Sequence, residues 1–328
     1  MTTQTRQQEI REIWNQYQGL YVMAGVLIGL LLFPFLELVI TDLSQLLIGL
    51  VPEAIGIGFT VLILDRIYQQ REEKRNIENQ KQQYIRDAGS SVPGVAIKAV
   101  EDLRNHCWLE DVEGLLKGTN LSLAQLGNAP LWYANLQEVT FWNANLREAN
   151  LFKANLQRAN LSKANLQQAH LVLANLQYTN LSNSNLQHAK LESANLMKSR
   201  LSEANLQYAD LAGTNLELTN LESANLQDTN LESAKLQGAN LSHANLQNAN
   251  LSQASLQGVN LSNAKIANII WEVQEDGKVY TTTLPDGELW TADTEMGKFT
   301  DPSHPEFEAT LEKINGIRAE MGILPIQS

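Results

Sequence analysis

From Leu121 to Ile266 a large apolar residue stands at every fifth position, thirty in all, and only Phe141 and Ile266 are not leucine. Two residues before each stands a small one, nearly always Ala, with Thr, Ser or Val elsewhere. Asn usually falls between them, so the unit reads A-N-L-x-x. A period of five matches neither the helical period nor strict alternation. Small and large residues two apart point to the same side of an extended backbone, and the Asn between them points away. The two residues after Leu then turn the corner. A turn every five residues winds the chain into a coil, and coils stack ~4.8 Å apart through backbone hydrogen bonds. Leu and Ala fill the axis of such a tube and leave little room for large rings, in keeping with an aromatic share of 6%.

A second period sets the number of sides. Gln stands at 157, 167, 177 and 187, and again at 207, 227, 237, 247 and 257. A ten-residue recurrence places Gln on two opposite faces of a 20-residue, four-sided coil. Stacked amides of that kind can hydrogen-bond in ladders along the tube.

The A-N-L-x-x unit resembles the pentapeptide-repeat family over residues 119–268. The resemblance implies an all-β repeat fold, a right-handed quadrilateral β-helix with four pentads per coil, here about 7.5 coils and roughly 36 Å of tube at the strand spacing. Three flanking pieces extend it: RDAGS (86–90), AIKAVEDLRNHCWLEDVEGLLKG (96–118) and TLPDGELWTADTEMGKFTDPSHPEF (283–307). They resemble flanks of membrane-anchored bacterial pentapeptide-repeat proteins, notably cyanobacterial ones. That subgroup has no assigned activity, so the resemblance implies architecture and location, not chemistry.

The N-terminal part reads as a transmembrane hairpin over 20–64. Leu20–Ile40 and Leu46–Leu64 are apolar runs with one charge each, Glu37 and Glu53. Runs of that length are what a bilayer-spanning helix needs. The linker Thr41–Gln45 has no Lys or Arg, whereas Arg6 and Arg11 precede the first run and Arg66, Arg71, Lys74 and Arg75 follow the second. The positive-inside rule then predicts a two-span protein with both termini (1–19 included) and the repeat domain cytoplasmic, and the resemblance implies a bacterial membrane. Gly25 and Gly29 form a GxxxG suited to helix packing in the bilayer. Residues 65–118 are expected to be a juxtamembrane helix, a break at 89–93 and a short helix near 94–107 that caps the first coil. On that helix Ile97, Val100, Leu103 and Cys107 form one apolar face, with Cys107 as a buried small hydrophobe. After the tube, 269–328 reads as an acidic cap and small α/β tail: Ile269, Ile270 and Trp271 over the last coil, a hairpin around Pro285-Asp286-Gly287, and a helix carrying Phe307, Leu311, Ile314 and Ile317.

The charge is −12 overall, but it divides as −4 over 1–118, zero over 119–268 and −8 over 269–328. A rod with nine cations and nine anions is a poor partner for nucleic acid and a poor mimic of it. One Cys excludes a disulfide framework. The five His do not gather into a ligand set, no nucleotide-binding or nucleophile-elbow motif occurs, and a convex ladder has no pocket, so neither a cofactor nor catalysis is expected.

One outward column departs from the pattern. Trp132, Phe152 and Val172 are 20 apart, with Tyr133 and Leu173 beside them, and the column turns acidic at Glu192 and Glu232. An exposed apolar patch calls for a partner. The options are the chain's own 65–118 region, a second protomer in a homo-oligomer, the lipid bilayer, or another protein. The sequence thus points to a non-enzymatic, membrane-anchored scaffold that recruits a protein. The alternatives are a DNA-mimic gyrase-binding protein, as some pentapeptide-repeat proteins are, and an accessory factor in membrane or envelope assembly.

Overall fold

The computed structural model describes residues 44–110, 114–275 and 278–327. The chain divides into two units at Asn76/Ile77. The first is represented by the beginning of α1 (Ser44–Ala88), a long helix. The second holds α2 (Pro93–Asn105), the repeat, a hairpin of β1 (Glu272–Glu275) and β2 (Lys278–Thr281), and the helices α3 (Gly297–Thr300) and α4 (Phe307–Glu320).

The membrane hairpin requires correction. Among the described residues no helix is long and apolar enough to cross a membrane. The two-span localisation in a bacterial membrane, with its cytoplasmic termini and repeat domain, is therefore overturned. The first expected run, Leu20–Ile40, with Gly25 and Gly29, lies outside the described residues.

The repeat forms a four-sided coil. Parallel bridges join each residue before a core Leu to the one twenty further on, from Asn120↔Thr140 to Asn250↔Ile270. Each side contributes few residues, so rungs are held by short regular exchanges: Leu121 N–H donates to Thr140 O (2.7 Å), and Thr140 N–H donates to Thr119 O (2.9 Å). The core Leu from 121 to 261 and most of the small residues two before them are almost wholly buried. Phe141 fits the same axis and is also fully buried. Every fully enclosed Leu removes apolar surface worth roughly 1.5–3 kcal/mol from water, which makes the axis the main source of stability.

Corners are built by the sequence between the leucines. The residue after Leu opens a four-residue turn closed by a bond such as Ala124 N–H to Leu121 O (3.2 Å). The next residue takes φ between +53° and +69° at every fifth position from Gly118 to Asn268. A left-handed conformation is hardest for β-branched side chains, and no Val, Ile or Thr stands at any of these positions. The Asn before Leu secures the corner: its Oδ1 accepts from the backbone N–H two residues on, as in Asn120–Ser122 (3.0 Å), Asn160–Ser162 (3.1 Å) and Asn240–Ser242 (3.2 Å). Such local side-chain bonds are why Asn suits turns. Asn therefore does more than point outward. Glutamine ladders run on the two expected faces, for example Gln157 Nε2 to Gln177 Oε1 (2.7 Å) and Gln167 Nε2 to Gln187 Oε1 (2.9 Å).

The first coil is closed by the segment before it. Ser90 O accepts Gln125 N–H (3.0 Å) and Leu109 O accepts Asn135 N–H (2.7 Å). On the side between them Pro130 has no N–H to offer, a common device at sheet edges. Arg104, from the last turn of α2, gives Nε to Pro130 O (2.8 Å) and Nη2 to Trp132 O (2.6 Å). Its guanidinium thus stands where a preceding coil would place two backbone donors. Ala96, Ala99, Val100 and Leu103 bury the inner face of α2. Cys107 does not share that face, contrary to the helical spacing. It lies past the end of α2 at φ +57° and is exposed.

The other end is made differently. Strict repetition would pair Ser255 with residue 275. Instead the chain leaves at Trp271, forms the β1–β2 hairpin, and returns so that Thr283 bridges Ser255. Thr282 and Leu284 are buried as the small and large residues of a displaced pentad. Trp271 is buried and stacks on Trp290 (6.3 Å), whereas Ile270 is half exposed. The tail then folds back along the side of the rod. Arg318 of α4 donates Nη1 to Gly258 O (2.8 Å) and Gly238 O (3.4 Å), and Nε to Leu324 O (2.7 Å). Gly238 and Gly258 both have φ +69°. A Cβ on Gly238 would strike Ile323 Cδ1 and lie 2.8 Å from Leu218 Cδ2, so a side chain there would displace both.

Candidate functional site

The coil fixes which outward side chains share a face. Residues twenty apart lie one above another, because Tyr133 N–H donates to Phe152 O (2.8 Å), Lys153 N–H to Val172 O (3.0 Å) and Leu173 N–H to Glu192 O (3.0 Å). The expected column of Trp132, Phe152 and Val172, with Tyr133 and Leu173 beside it, is therefore one continuous face. Tyr133 and Leu173 are close to half exposed, and Trp132, Phe152 and Val172 are partly covered.

Within it the rings are in contact. Tyr133 meets Phe152 edge-on at 5.6 Å, and Phe152 stacks on His170 at 5.7 Å. Lys153 Nζ lies 5.3 Å from the Phe152 ring centre and 5.5 Å from that of Tyr133. Trp132 is separated in role: the Arg104 guanidinium covers its ring at 3.9 Å, and Arg104 is itself paired with Glu110 at 2.8 Å. Burial holds the Arg104 pKa below the ordinary value, with Glu110 opposing that effect. Trp132 thus belongs in part to the cap, and the accessible portion of the patch runs from Tyr133 to Leu173.

Lys153 and His170 join this face beyond the five residues of the expected column. Both were discoverable from the 20-residue columns, since Lys153 lies between Tyr133 and Leu173, and His170 directly precedes core Leu171 on the same side. Arg104 carried no such signal, because it comes from outside the repeat. Beyond Leu173 the face becomes small and acidic: Glu192, Ala212, Gly213, Glu232 and Ser233. One oxygen of Glu192 is buried without a hydrogen-bond partner among the described residues.

Among the described residues no three His, Cys, Asp or Glu gather as metal ligands. His170 stacks on Phe152, whereas His188 stacks on Tyr208 of another face. A small cavity of about 10 Å³ lies between the last coil and α4, lined by Val259, Leu261, Phe299, Phe307, Leu311 and Ile314. It has room for about one water. The face can offer stacking, apolar contact and a cation.

A family model described as pentapeptide repeats matches in copies over 131–168, 164–202, 199–238 and 234–269. Among solved structures, the chain is 42% identical to the pentapeptide-repeat protein Rfr23 from the cyanobacterium Cyanothece 51142, with 30% of this chain and 63% of that one covered and a TM-score of 0.27. It spans somewhat less than two thirds of that relative's length. It is 30% identical to HetL, a pentapeptide-repeat protein involved in heterocyst differentiation regulation from Nostoc sp. strain PCC 7120, covering 53% of this chain and 89% of that one, with a TM-score of 0.31. It is 18% identical to QnrB1, a plasmid-mediated fluoroquinolone resistance protein, covering 40% of this chain and 74% of that one, with a TM-score of 0.22. No curated protein matches the chain.

Proposed function

The chain belongs to the pentapeptide-repeat family, whose members form right-handed quadrilateral β-helices, and from that premise we propose that it is a non-enzymatic interaction protein. Its rod presents the Tyr133, Phe152, Lys153, Val172 and Leu173 face to a protein partner. The observation that carries this reading is the half exposure of Tyr133 and Leu173 on a backbone ladder. Side chains held at ~4.8 Å intervals on a stiff backbone lose little freedom when a partner docks.

The test is crosslinking of the native chain in its own cells beside a Tyr133→Ala/Leu173→Ser variant. The variant should keep its melting behaviour and lose a specific crosslinked protein. An unchanged set of crosslinks would reject the face.

The second reading, a duplex mimic acting on DNA gyrase, draws on one observation, the acidic coils over 201–240 and the tail of charge −8 beyond the rod. A supercoiling assay separates the two, since inhibition at stoichiometric protein would favour the mimic.

A further inference from the structure

The neutrality of the rod conceals an axial division. Residues 119–200 carry seven cations and three anions, and 201–268 carry two cations and six anions. The two halves are +4 and −4. The candidate face repeats this division in shape as well as charge. Its first coils carry bulk and cations: Phe152, Lys153, Leu173 and Lys190. Its later coils carry small and acidic residues: Asp210, Ala212, Gly213 and Glu232.

We propose that this face pairs with the same face of a second copy of the chain, rods antiparallel, about a two-fold axis at the level of Glu192 and Ser193. The proposal rests on the interaction-face reading and names its occupant. The register follows from the columns. Reversal about that level sets Val172 and Leu173 of one copy against Ala212 and Gly213 of the other. It sets Lys153 against Ser233, beside Glu232, and His170 against Asp210. At the axis the two Lys190 face each other next to the two Glu192, and each lysine reaches across to the partner copy's Glu192, which offsets both like-charge approaches. Leu173 and Gly213 are both exposed, Lys153 and Lys190 are exposed, and neither lysine has an ion pair among the described residues. Gly213 leaves its surface open, since a Cβ there would meet only Ser193 Oγ at 3.6 Å.

Such an interface is isologous and closes at two copies. A parallel arrangement would set bulk against bulk and cation against cation. The other faces lack this match of large with small across one centre. Trp142, the large residue on the opposite side, stands alone in a column of Ser and one Glu.

The experiment is sedimentation equilibrium of the full chain at low and high salt, with charge-reversal variants. The expected result is a reversible dimer whose dissociation constant rises with salt. Lys153→Glu and Glu232→Lys should each weaken it about tenfold, and the two together should restore most of the loss. In a Cys107→Ser background, Ser193→Cys should form a disulfide-linked dimer under mild oxidation, and Asn183→Cys on another face should not. Equal linkage at both positions, or no rescue by the paired reversal, would overturn the antiparallel register. A chain that stays monomeric while the Tyr133/Leu173 variant still loses a crosslinked protein would overturn the second copy as occupant and leave the interaction face standing. A monomer with unchanged crosslinks would remove both.

Discussion

Two arginines from outside the repeat grip the rod, Arg104 partly covered and Arg318 buried, yet they do different work. Arg104 sits on the open edge of the first coil and replaces donors that a neighbouring coil would supply to Pro130 and Trp132. Arg318 sits on the flank, and the carbonyls it meets, Gly238 and Gly258, belong to coils already paired above and below. Burial lowers the pKa of both, and both stay charged at any accessible pH. The first is a substitute for structure and the second is a strap laid over it. An exposed edge invites pairing with another chain, whereas an uncovered flank does not.

That contrast can be broken most forcefully at Arg104. Arg104→Ala should cost about 3 kcal/mol, because two edge carbonyls lose charged donors and the Trp132 ring loses its cover. Chemical denaturation measures the loss, and light scattering should show association through the bared edge. Arg104→Lys should recover little, since an ammonium cannot reach both carbonyls in the guanidinium geometry. Next comes Gly238→Val, which combines a left-handed φ with collision against Ile323. It should release the tail by about 2 kcal/mol. Hydrogen exchange would then show α4 opening while the coil amides stay protected; loss of protection in the coils would mean the strap is part of the rod's stability. Arg318→Met should be milder, about 1 kcal/mol, since an apolar chain of similar length keeps the packing. A larger loss than at Arg104 would reverse the comparison.

The smallest effect concerns acid. Hydrogen bonds from the Ser303 hydroxyl and amide hold the Asp301 pKa below its ordinary value of 3.8. A depressed carboxylate contributes stability that is present above its unfolded pKa and is lost as the pH falls through the folded one. The turn leading into α4 should therefore be unchanged from neutral pH to about 4 and loosen only below that. Proton-detected titration of Ser303 N–H would follow it.

The tube was largely legible because its rule is local. Leu and Ala two apart define an inside, and a 20-residue column defines a face. The candidate patch followed from the same arithmetic. What escaped had one of two causes. Arg104 and Arg318 act across long separations, 26 residues to Pro130 and 60 to Gly258, and no periodicity connects them. The apolar runs near the N-terminus suggested a membrane from composition, a signal that says nothing of which helices form. Cys107 was misassigned for a related reason: spacing continued past Asn105, but the helix did not. The left-handed corners were readable in principle, through the missing β-branched residues, but only once the corner was known to need them.

The return of the chain at Thr282 has a consequence for how such a rod can vary. Ten residues leave the coil between Trp271 and Thr282 and form their own hairpin, and the coil resumes at Thr283 in register with Ser255. Register is therefore recognised by three residues, a small one, a bridging one and a Leu, not by counting along the chain. Any corner could then serve as a port where a segment of arbitrary length is threaded out and back. A peptide grafted between Trp271 and Thr282 would be displayed at a fixed height on the rod, which makes this corner the natural place to attach a reporter or a new binding loop without disturbing the axis.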